Sequence, residues 1–127
     1  MKTVDEIKTN LAYAIGSESY TRHNTGAFVF TDGVNQLRED ADAFWLVDAI
    51  ASYQHKFKKV EFQVWELEVF ADKTAVLTMK EDTNCPLLVE QKIHITNFPL
   101  DNIKFYVQLG SLDGYNPVFV LMLTSEY

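Results

Sequence analysis

The sequence predicts an α+β domain, with two to three N-terminal helices packed on an antiparallel sheet of about five strands, in one domain over residues 1–127. Three observations predict it. Apolar residues recur at spacings of three and four in the first half of the chain. From about residue 60 the period changes to two. A hydrophobic fraction of 47% is enough for a core without disulfide staples.

The elements follow in order. Thr3 and Glu6 form a capping box, in which hydroxyl and carboxylate satisfy each other's amides. Val4, Ile7, Leu11 and Ala14 then make one apolar face, and Gly16 is a natural helix stop. Residues 17–26 read as a polar loop carrying Tyr20, Arg22 and His23, and residues 27–30 as a short strand. Thr31 or Asp32 can cap a second helical region on which Val34, Leu37, Ala41 and Phe44 keep helical spacing. The aspartates among residues 39–42 predict a break. Beyond it, Phe44, Trp45, Leu46, Val47, Ala49 and Ile50 leave almost no polar face, which predicts a buried helix. His55, Lys56, Lys58 and Lys59 collect at its C-terminal end, where the helix dipole favours cations.

In the second half, residues 60–70 read as a long strand. Its apolar phase shifts between Phe62/Val64 and Trp65/Leu67/Val69, which predicts a bulge. A short turn at residues 71–73 leads to a strand over residues 74–80. Residues 88–96 alternate, with Val89, Gln91, Ile93 and Ile95 on one side and Glu90, Lys92 and His94 on the other. Ile103, Phe105, Val107 and Leu109 repeat that pattern, residues 110–116 form a loop, and residues 117–124 are apolar on both faces, as in a central strand.

Charge bounds the function. The net charge is −7, and residues 60–127 carry ten acidic and four basic side chains. Such a surface repels phosphate backbones, so no direct nucleic-acid contact is expected, and a basic protein partner is. No signal-like or membrane-spanning run is present, and the one cysteine, Cys85, fits a cytoplasmic setting. There is no phosphate-binding loop, nucleophile elbow or metal-ligand spacing, so no cofactor and no metal are expected.

One polar cluster stands out. Asp48 interrupts an apolar helix, and a buried carboxylate needs a partner. The loop bearing Tyr20, Arg22 and His23 offers a guanidinium and an imidazole, as a ligand site or as a structural tether. Glu61, Glu66 and Glu68 form an acidic face, and Trp65, at the phase change, lines either the core or a partner surface.

The chain resembles a small bacterial and phage-associated domain family of unknown function. The matching pieces are Tyr20-x-Arg22-His23, Thr31-Asp32-Gly33, Phe44-Trp45-Leu46-Val47-Asp48, Phe62-Gln63-Val64-Trp65, Thr96-Asn97-Phe98-Pro99-Leu100 and Ser125-Glu126-Tyr127. Thr124 stands where the family pattern has proline, Asn97 stands where it has aspartate, and the loop over residues 110–117 is longer. The resemblance implies no reaction. It adds Asp32 to the candidate cluster of Tyr20, Arg22, His23 and Asp48. The expected function is that of a non-enzymatic acidic binding protein, such as a counter-defence inhibitor of a basic nucleic-acid-binding protein. The rival is a ligand binder or hydrolase-like enzyme using Arg22, His23 and Asp48. A third reading is a homodimer formed through the apolar last strand.

Overall fold

A computed structural model describes residues 1–13, 20–23, 28–111 and 117–127. Helix α1 (Val4–Tyr13) begins as its capping box requires. The Glu6 amide donates to the Thr3 hydroxyl at 3.2 Å, and the Thr3 amide donates to Glu6 Oε1 at 3.3 Å. The expected stop at Gly16 lies outside the described residues.

Strands β1 (Tyr20–Arg22) and β2 (Phe28–Thr31) lead into α2 (Asp32–Asp40), whose N-cap is Thr31. The expected break is present. The chain turns through Asp42 at φ 50°, a left-handed conformation that aspartate tolerates, and the Ala43 amide closes the helix end on the Arg38 carbonyl at 2.9 Å. Helix α3 (Phe44–Tyr53) follows and runs into a 3-10 turn (Gln54–Lys56). Strands β3 (Phe62–Val69), β4 (Ala75–Lys80), β5 (Leu87–Ile93), β6 (Asn102–Gly110) and β7 (Val118–Leu123) complete the fold.

The expected sheet of about five antiparallel strands is corrected to a mixed sheet of seven, in the order β1-β2-β7-β6-β3-β4-β5. The two additional strands come from the N-terminal half. Residues 20–22, read as loop, pair antiparallel with β2, and β2 pairs parallel with β7. All four β2 residues are buried, and a strand covered on both faces belongs inside a sheet. Its place beside β7 also bears on pairing through the last strand. Strand β7 lies between β2 and β6, so it has no free edge to offer a second copy.

The bulge expected in β3 is absent. Its registers with β4 and β6 run unbroken from Val64 to Val69 and from Phe62 to Glu68, and the irregularity among the described ladders falls at Met79/Lys80. The apparent phase shift arises because β3 is apolar on both faces. Trp65 and Leu67 face the helices with the polar Gln63 in line, while Phe62 and Val64 face the other way.

Side chains of α2, α3 and the 3-10 turn reach the sheet on one face. Arg38 lies 4.6 Å from the Phe30 ring centroid, Tyr53 tilts against Trp65 at 5.6 Å, and Gln54 pairs with Gln63. Beneath them, Trp65, Leu67, Leu77, Val107 and Leu121 are fully buried. Gln63 is buried as well, and its polar atoms are matched. It exchanges amide hydrogen bonds with Gln54 at 2.9 and 3.0 Å, accepts from Trp65 Nε1 at 2.8 Å and donates to the Val60 carbonyl at 3.2 Å. A buried amide pair is tolerated where its members are satisfied in this way. No described helix is long and apolar enough to cross a membrane.

Candidate functional site

Helix α3 is buried on one side only. Leu46, Val47, Ile50 and Ala51 pack inward, whereas Phe44, Asp48 and Ser52 form an exposed stripe at intervals of four. Asp48 is therefore not the buried carboxylate that the apolar helix suggested. That description fits Asp40, at 4% exposure. Its carboxylate accepts from Asn10 Nδ2 and Gln36 Nε2, each at 2.8 Å, and lies 3.6 Å from Lys2 Nζ. These contacts tie α1 to α2.

The expected meeting of His23 with Asp48 is present, with burial reversed. His23 Nε2 lies 2.7 Å from Asp48 Oδ1; the imidazole is 9% exposed and the carboxylate 64%. The His23 amide donates to the Phe28 carbonyl at 2.8 Å, extending the β1–β2 ladder by one residue, and its ring meets Phe28 edge-on at 5.9 Å. The ladder thus delivers the imidazole to the helix side of the sheet, where Asp48 projects from α3.

The same ladder separates the rest of the cluster. Side chains alternate along a strand, so Tyr20 and Arg22 point to the face opposite Thr21 and His23. Asp32 opens α2 beside the Tyr20↔Thr31 pair, three strand residues, or about 10 Å, from the His23 end. Of Tyr20, Arg22, His23, Asp32 and Asp48, the contacts among the described residues join His23 and Asp48.

Beside this dyad runs a groove of about 550 Å³. Phe28, Ala51, Leu109 and Phe119 are among its apolar lining, and Ser52, His55 and Lys58 stand among its polar lining residues. Phe28 belongs to both the groove and the imidazole contact. Among the described residues no group of acids, histidines and cysteine is arranged to hold a metal ion.

The proposed partner surface is redrawn by burial. Trp65 is 0% exposed and spends its indole N–H on Gln63, so it belongs to the core. Glu61 and Glu68 are exposed and Glu66 is half-buried. Glu66 and Glu68 lie on the sheet face opposite the helices, where the register sets Lys104 directly across from Glu66. Charges of both signs therefore interleave on that face. Its aromatic centre escaped sequence reading. Phe62, Tyr106 and Tyr127 form a mutual cluster with centroids 5.1 to 5.5 Å apart, and Tyr127 is 69% exposed. The signal was available in the alternation of Phe62 with Trp65 and Tyr106 with Phe105, but it needs the β3–β6 register to become one patch.

The other feature that sequence reading missed is a latch at Glu126. Its Oε1 accepts from the Thr31 hydroxyl at 2.6 Å and from the Leu123 amide at 3.0 Å. Its Oε2 accepts from the Gly33 amide at 3.3 Å. Thr31 Oγ1 in turn accepts from the Val34 amide at 3.3 Å, so one hydroxyl caps α2 and reaches the carboxylate. Gly33 leaves the space: a Cβ there would lie 2.7 Å from Glu126 Oε1. The segments Thr31-Asp32-Gly33 and Ser125-Glu126-Tyr127, distant in sequence, are one structural contact.

Fold and site together define an α+β protein whose described residues form three α-helices and a seven-stranded mixed sheet. The chain belongs to the family of unknown function DUF6876, which spans residues 5–127. No curated protein and no solved structure matches it.

Proposed function

We propose that this chain is a non-enzymatic binding protein of a bacterium or its mobile elements, acting by contact with a basic protein. The observation that carries this reading is the aromatic cluster of Phe62, Tyr106 and Tyr127 on the sheet face away from the helices. Tyrosines that present a rigid apolar body and a hydroxyl to solvent are favoured anchors of protein interfaces. Glu61 adjoins Phe62 in the chain, and Glu66 follows Val64 on the same face. A net charge of −7 supplies the long-range attraction for a cationic partner, and the aromatics supply short-range contact with its Arg and Lys side chains. A nucleic-acid-binding protein whose phosphate-binding surface is covered in this way is the concrete partner class, and inhibition is the expected consequence.

The test is retention of host proteins on the immobilised chain at low and high salt, beside a Tyr106→Ala/Tyr127→Ala variant. A basic partner retained at low salt, released at high salt, absent from the variant and displaced by DNA supports the reading. Retention indifferent to salt and to both substitutions overturns it.

A second reading is favoured by the dyad and its groove. A small ligand with an anionic group would lie on Phe28 and Phe119, with His55 and Lys58 on its charge and the His23–Asp48 pair at one end. Chemical-shift mapping with a panel of small carboxylates and phosphates tests it. Shifts clustered on Phe28, Ser52 and Lys58, and lost in His23→Ala, support it; none at millimolar ligand refutes it.

A further inference from the structure

Strand β5 is an edge of the sheet. It pairs with β4 on one side and ends the strand order on the other. Unpaired edges offer a row of backbone donors and acceptors, and proteins usually blunt them with charge, proline or a covering loop. Here the edge is flanked by exposed apolar residues. Leu87 and Leu88 are 47% and 37% exposed at one end, and Ile95, two residues past the other, is 81% exposed. Charge on the strand consists of Glu90 and Lys92, both exposed and both on the face away from the helices, opposite Thr78 and Val76 of β4.

We propose that β5 pairs antiparallel with β5 of a second copy of this chain, about a two-fold axis at Gln91, to give one continuous sheet across a homodimer. The strand is self-complementary about that residue. Reversing it on itself sets Glu90 opposite Lys92 of the second copy and Lys92 opposite its Glu90. Val89 then meets Ile93 on the helix side. A two-fold axis normal to the sheet keeps every side chain on its own face, so residues of like parity must pair. Among those registers, a step one way sets Glu90 against itself and a step the other way sets Lys92 against itself. Like charges directly opposite are destabilising. The register centred on Gln91 is the one that matches both charges. The two residues that discourage casual edge pairing therefore select this one.

Beside the edge, Trp45, Lys73, Ile93 and Ile95 line an open, mainly apolar groove of about 600 Å³. The two-fold brings Val89 of the second copy against Ile93, which lines that groove. This inference is independent of the proposed function, because the aromatic cluster lies on β3, β6 and the C-terminal residues rather than on β5.

Sedimentation of the full chain over a range of concentrations tests it, using wild type, Glu90→Lys, Lys92→Glu and an equimolar mixture of the two variants. Wild type is expected to form a dimer. Each variant alone places like charges opposite each other twice, and its dimer should dissociate roughly tenfold more readily. In the mixture, two lysines on one chain face two glutamates on the other, so the dimer should return as a heterodimer. A monomeric wild type at every concentration overturns the proposal, and so does a dimer that neither variant weakens. Circular dichroism and melting temperature report whether each variant is folded. Wild type also supplies a measurement that needs no variant: carbodiimide cross-linking of mixed light and isotope-labelled chains. A Glu90–Lys92 amide joining a light peptide to a heavy one is expected, and cross-links confined to single chains refute the register.

Discussion

Replacing Glu126 by alanine should destabilise the fold by about 2–3 kcal/mol. The Thr31 hydroxyl loses a charge-assisted hydrogen bond of 2.6 Å, a class worth about 1.5–3 kcal/mol when well sheltered and less at this half-buried position. The Gly33 amide loses a carboxylate at the N-terminus of α2, where the helix dipole adds about 0.3–1 kcal/mol. The Leu123 amide loses its acceptor. For a domain of 127 residues, the sum corresponds to a fall in Tm of about 6–15 °C. Glu126→Gln keeps the shape and one acceptor oxygen, and should cost about half as much. The sharper test is a cycle with Gly33→Ala. In the wild-type background the new methyl displaces the carboxylate and should destabilise by about 1 kcal/mol, because its Cβ would lie 2.7 Å from Oε1. With Glu126 already alanine, the same change should stabilise by about 0.5 kcal/mol through helix propensity. Urea denaturation of the four proteins gives the coupling. Additivity within about 0.3 kcal/mol would show that the two positions do not interact, and the latch would be refuted.

Three other outcomes are expected. Asp40→Ala, which strips the acceptors from Asn10 and Gln36, should cost about 2 kcal/mol and speed amide exchange across Val4–Tyr13 as α1 undocks; unchanged exchange there would refute the tie. Gln63→Leu should cost about 2–4 kcal/mol by orphaning Trp65 Nε1 and the Gln54 amide, and adding Gln54→Leu should recover part of it. The Asp72 carboxyl is held below its ordinary value of 3.8, first by the Thr74 hydroxyl and then by the Thr74 amide. A depressed folded-state pKa gives a contribution that is present above the unfolded value and lost as pH falls through the folded one, so the turn loosens only below about pH 4. Thr74→Val should raise the Asp72 titration midpoint in carbon-detected NMR, and an unmoved midpoint would exclude the hydroxyl as its cause.

The elements legible in the sequence were those specified by local periodicity. Val89, Gln91 and Ile93 alternate because β5 has one covered face, and Ile103 to Leu109 alternate for the same reason. Thr3 and Glu6 announce α1 because their capping contact spans three residues. What was not legible depends on pairing over long separations. Tyr20–Arg22 becomes a strand only because β2 lies beside it, and β2 is held in parallel by a strand some ninety residues later. Asp48 was misread for a related reason. A helix of mostly apolar residues looks buried all round, yet its exposed stripe of Phe44, Asp48 and Ser52 includes one large aromatic. The pairing of His23 with Asp48 could be foreseen from chemistry, whereas the direction of Arg22 could not, because it follows from the strand register.

The sheet order also dictates a sequence of events during synthesis. Strands β1 and β2 reach the rest of the sheet only through β7, and α2 receives its capping carboxylate from Glu126. The N-terminal third of the chain therefore emerges from the ribosome without its docking surface and waits until residues 118–126 have been made. Over that interval β2, with Phe28 and Phe30, lacks the strand that flanks it in the sheet, which makes a nascent or C-terminally clipped chain a natural client for chaperones and proteases.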